Sequence, residues 1–64
     1  MLNNNTYNLM MQLTVEHLSL WRIKNEYMKD AKKSPDSKKF WAKMLKDKEA
    51  HIRELKVLIK KELK

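Results

Sequence analysis

The sequence predicts an all-α fold, an antiparallel two-helix hairpin that pairs with a second copy into a four-helix bundle. Three observations carry this expectation. Glycine is absent and proline occurs once in 64 residues, so strand hairpins and flexible linkers are poorly served. Alanine, leucine, lysine, glutamate and methionine, all good helix formers, dominate the rest. The single proline sits mid-chain in Lys33-Ser34-Pro35-Asp36-Ser37, where it must stop one helix and can start another.

Taken in order, residues 1–5 read as a frayed tail. Thr6, or one of the preceding asparagines, can cap a first helix running to about residue 32. Steps of ~100° gather Met10, Leu13, Leu18, Leu20, Trp21 and Met28 on one broad apolar side. Gln12, Glu16, Ser19 and Arg22 fall on the other side, with Val15 and Ile23 at the margins. The apolar side covers about 200°, wider than one neighbouring helix requires, which argues for a second partner.

Residues 33–35 form the turn. Ser34 is placed to cap a second helix with Pro35 in its first position, and Asp36 complements the N-terminal dipole. That helix runs from 35 to about 63, with Phe40, Trp41, Met44, Leu45, Ile52, Leu55, Leu58 and Ile59 on one face. Pairing about Ser34 sets Met28 level with Phe40, Leu13 with Leu55 and Met10 with Leu58. A chain this short buries too little in one two-helix seam to fold comfortably alone. With no cysteine to staple it, association is the expected remedy. The whole chain is one domain, and its core and dimer seam are expected to draw on Met10, Leu13, Leu20, Trp21, Met28, Phe40, Trp41, Met44, Leu55 and Leu58.

The formal charge of +7 is unevenly spread. Residues 1–21 carry only Glu16 as a charged side chain, so residues 22–64 hold 15 basic against 7 acidic groups, a net +8. Such a surface suits nucleic acid, an anionic membrane or an acidic protein, and Lys32, Lys33, Lys38 and Lys39 are the candidate nucleic-acid contacts. Thirteen of the fifteen basic residues are lysines rather than the better phosphate-reading arginine, which favours a merely solvated face. No apolar run reaches the ~20 residues of a membrane span. The apolar first third lacks a basic leader and a small-residue cleavage site, so a soluble cytoplasmic protein is expected.

His17 and His51 are the only histidines, and pairing about Ser34 puts them at one level near the apolar side. Facing histidines between helices can hold a metal, with Glu16 and Glu54 as neighbouring carboxylates. The simpler expectation is a polar layer that fixes the register. The segment Lys48-Glu49-Ala50-His51-Ile52-Arg53-Glu54-Leu55-Lys56-Val57-Leu58-Ile59 resembles the second helix of a ferritin-like, rubrerythrin-like hairpin. The resemblance implies a Glu-x-x-His there, one glutamate on the preceding helix, and a di-iron centre shared by two hairpins. His51 matches the histidine, but Lys48 stands where the glutamate belongs, and the first helix offers His17 with Glu16 displaced by one. What the resemblance implies is half of that fold with its metal site lost or altered, and no cofactor is expected.

Lys48, and Lys24 on the first helix, interrupt the apolar faces. Their stems can pack while the amines reach water. Alternatively, Lys48 meets Glu16 or a partner's carboxylate, the pairing that makes a buried ammonium tolerable. No nucleophile with a base and orienter, phosphate loop or glycine-rich turn is present, so neither catalysis nor a small-molecule substrate is expected. The predicted role is a small basic interaction or structural module acting as a homodimer. Binding of RNA or DNA, and a histidine-based metal site, are the alternatives.

Overall fold

A computed structural model describes residues 3–63, and among them every regular element is helical. The first arm consists of α1 (Asn4–Arg22), a π-helical turn (Ile23–Tyr27) and a last short piece, α2 (Met28–Asp30). The second arm is one helix, α3 (Pro35–Glu62). Together they make a rod of 48 × 16 × 13 Å.

Each helix starts where local chemistry tells it to. Asn3 has extended backbone, and its side chain accepts the Thr6 N–H at 2.8 Å. The helix therefore begins at Asn4 rather than near Thr6, whose own side chain is buried instead. Ser34 caps α3 by accepting the Ser37 N–H at 3.4 Å, while its hydroxyl donates to Ser37 Oγ at 2.9 Å. Pro35 opens the helix, Asp36 lies in its first turn, and Lys60 and Lys61 in its last turn suit the C-terminal dipole. The connection over Ala31–Ser34 closes without any positive φ, through a Ser34 N–H to Ala31 carbonyl bond of 2.9 Å. The helical pattern stops at Asp30, short of residue 32.

The π turn re-phases the first arm. The Met28 N–H bonds the Ile23 carbonyl five residues back, so this turn takes in an extra residue. The Asn25 side chain donates to the Trp21 carbonyl at 2.8 Å, a side-chain bond supporting the ladder where its spacing changes.

The arms meet along a narrow seam. On the first arm, Thr6, Leu9, Leu13, Glu16, Leu20, Ile23 and Tyr27 are buried or half-buried, in alternating steps of three and four. On α3, Trp41, Leu45, Lys48, Ile52, Leu55 and Ile59 do the same. This is the spacing of a coiled-coil seam. Three levels tie it together: Asn5 Nδ2 donates to Glu62 Oε1, Glu16 reaches Lys48 and His51, and Tyr27 packs at a tilt of 41° against Trp41 with centroids 4.8 Å apart. Phe40 packs edge-on against Trp41 from the same helix, at 5.0 Å.

The face assigned to the first helix needs correction. Glu16, expected to point away, is 4% exposed, and Ile23, expected at the margin, is the most buried apolar residue at 1%. Val15, also expected at the margin, and Leu18, expected on the apolar side, are exposed. The reason is that apolar residues surround α1 on nearly all sides, so their average direction does not mark the seam. The seam forms instead where Glu16 finds Lys48 opposite. Of the residues expected in the core or at a dimer seam, Leu55 is buried, and Met10, Leu13, Leu20, Met28, Trp41 and Met44 are half-buried. Trp21, Phe40 and Leu58 remain exposed.

Candidate functional site

The most organised polar group is the Glu16 node. Gln12 and Glu16 stand one turn apart on α1, and Lys48 and His51 one turn apart on α3, so four side chains converge across the seam. Lys48 Nζ lies 2.8 Å from Glu16 Oε2. His51 Nδ1 lies 3.0 Å from Oε1, and Gln12 Nε2 donates to the same oxygen at 3.3 Å. A carboxylate only accepts, so His51 carries its proton on Nδ1 in this pairing. Oε2 has the Lys48 ammonium as its charge partner and no geometrically formed hydrogen bond.

Burial pushes the Glu16 carboxyl up, since a charge is costly out of water. The Lys48 ammonium against Oε2, with hydrogen bonds from His51 and Gln12, outweighs it and holds the group below its ordinary 4.5. Glu16 is therefore ionised at neutral pH. The Lys48 side chain keeps 19% exposure, enough for its ammonium to stay partly wet while its stem packs.

This arrangement does not assemble the predicted metal set of His17, His51, Glu16 and Glu54. His51 faces Glu16 rather than His17, and both histidines are exposed. Glu54 is exposed too, beside Arg53, Val57 and Leu58 in an open depression on α3. Among the described residues, no three histidines, cysteines or carboxylates gather closely enough to share a metal ion. The chemistry available to the node is charge pairing and register selection.

Two surfaces surround this node. One is a row of large apolar side chains on α1: Tyr7, Met11, Val15, Leu18 and Trp21, each 48–57% exposed. Averaging separates this row poorly from the seam, which is why the sequence reading puts Leu18 and Trp21 on one broad face with seam residues and leaves Val15 at its margin. The other surface is basic. Lys32, Lys33, Lys38 and Lys39 are all exposed around the turn, and Lys43, Lys46, Lys56, Lys60 and Lys61 continue along α3. Among the described residues, Lys48 is the one lysine or arginine within ion-pair distance of a carboxylate. No helix among them is long and apolar enough to cross a membrane. Compared with protein-family models, curated proteins and solved structures, the chain matches none.

Proposed function

We propose that the chain is a helical hairpin that works as a homodimer, a small basic interaction module whose four helices assemble from two copies. The observation that carries this reading is uncovered surface. The chain exposes 5372 Å². A compact monomer of 7.8 kDa would expose about 4,400 Å². The excess of about 1,000 Å² is close to the ~800 Å² per partner of a standard protein interface. Sedimentation equilibrium at micromolar concentration tests it. A mass of twice 7.8 kDa is expected, and a folded monomer across that range would overturn the reading.

A second reading, binding of RNA or DNA, is favoured by the unpaired state of the other basic side chains among the described residues, Lys32, Lys33, Lys38 and Lys39 included. Lysines not committed to carboxylates are free to displace counterions from a phosphate backbone. Anisotropy titration of a labelled oligonucleotide should give an affinity that falls steeply between low and high salt. No binding at low salt sinks this reading and leaves the dimer untouched.

A further inference from the structure

The outer row of α1 lies on the side of that helix opposite its seam. At ~100° per residue, the mean direction of Tyr7, Met11, Val15, Leu18 and Trp21 differs from that of the seam residues by about 170°. In a closed four-helix bundle each helix meets its two neighbours at roughly a right angle, which this helix does not provide for. We propose that the outer row seats the α1 of a second copy, running antiparallel, so that two chains form a flat layer. The two α1 helices lie at its centre and the two α3 helices at its edges. This inference rests on the homodimer reading and specifies its geometry.

Charge selects a second copy as the occupant. Within α1 the charged side chains are Glu16, buried against Lys48, and the exposed Arg22, which the same steps of ~100° place in the outer row near its end, so that an antiparallel pair keeps the two Arg22 side chains at opposite ends. Two chains of +7 therefore meet with least repulsion here. An anionic bilayer or an acidic protein would need the lysines beside this row. They are instead concentrated around the turn and along α3, across the seam from it.

The antiparallel sense follows from two features of the row. Tyr7 and Trp21 occupy its ends, so a two-fold axis near Val15 sets each Tyr7 against the partner's Trp21, an aromatic pairing at both ends of the layer. A parallel arrangement would instead bring together the two turns that carry Lys32, Lys33, Lys38 and Lys39.

The chain has no cysteine, so single cysteines report the contact cleanly. A disulfide requires Cα atoms about 4.4–6.8 Å apart. Under mild oxidation Val15→Cys should form a covalent dimer. Tyr7→Cys alone should not, whereas Tyr7→Cys mixed with Trp21→Cys should cross-link. Self-linking of Tyr7→Cys would overturn the antiparallel layer. Cross-linking of Phe40→Cys or Leu58→Cys, with Val15→Cys inert, would place the dimer on α3 and overturn the layer while leaving the homodimer standing. A second variant, Val15→Glu, replaces a side chain already exposed on the single chain. It should weaken dimerisation at least tenfold with the helical circular dichroism retained, and unchanged dimerisation would overturn the proposal. A wild-type monomer would remove both the layer and the reading it rests on.

Discussion

Glu16 and Lys48 form an ion pair inside the seam between the two arms, with 2.8 Å between Oε2 and Nζ. Both stand at positions where the three-and-four spacing calls for apolar side chains. A buried pair gains little over two well-packed apolar residues, but losing one partner strands the other charge. Its value lies in register, because sliding α3 along α1 by one turn would separate the charges.

Lys48→Met should therefore destabilise the fold by about 3 kcal/mol, at the lower end for a buried pair because Lys48 is partly wet. Urea titration followed by circular dichroism measures it. The double variant Glu16→Leu with Lys48→Leu should recover most of that loss, since no unpaired charge remains. A double variant as unstable as the single one would contradict this account.

Acid should weaken the fold through the same residue. The folded-state pKa of Glu16 is below its ordinary 4.5. Its contribution is thus fully present above 4.5 and lost as pH falls through the depressed folded value. Denaturation midpoints should fall as the pH is lowered through 4.5 and below. Glu16→Gln should be less stable than the parent at pH 7 and show a flatter acid limb.

Ile23→Ala should cost about 3 kcal/mol, because Ile23 is 1% exposed and its removal leaves a cavity at the start of the π turn. Val57→Ala, at a 54% exposed position, should change stability by no more than about 0.5 kcal/mol. Thermal melts of the two variants side by side provide the comparison.

Ser34→Ala should cost about 1 kcal/mol by removing the acceptor for the Ser37 N–H. Ser34→Asp keeps an acceptor there and should retain most of the stability. Equal losses in both variants would show that the cap contributes nothing.

The all-α class and the break at Ser34-Pro35 are legible in the sequence because they rest on local chemistry: helix propensity, a missing N–H and a capping hydroxyl. The buried face of α1 is not. Met11, Leu18 and Trp21 are as apolar as the seam residues, and a wheel weights them equally. Which row is buried is decided by α3, through Lys48 and the aliphatic residues Ile52, Leu55 and Ile59. The Glu16–Lys48 contact is reachable from the lysine, whose place on an apolar face calls for a carboxylate, but not from Glu16, which looks like an ordinary surface residue. The π turn leaves no clear mark either. Asn25 supports it with a bond to the Trp21 carbonyl, but asparagine in a helix is too common to signal it.

The rod shape has a hydrodynamic consequence. The radius of gyration is 14.5 Å, whereas a compact domain of 64 residues would have about 10.7 Å. A compact globule with the radius of this single chain would contain about 140 residues, more than two copies' worth. A lone chain should thus elute from a sizing column where a globular dimer would, and an early peak says nothing about association. Light scattering or equilibrium sedimentation, which weigh the particle regardless of its outline, separates elongation from pairing.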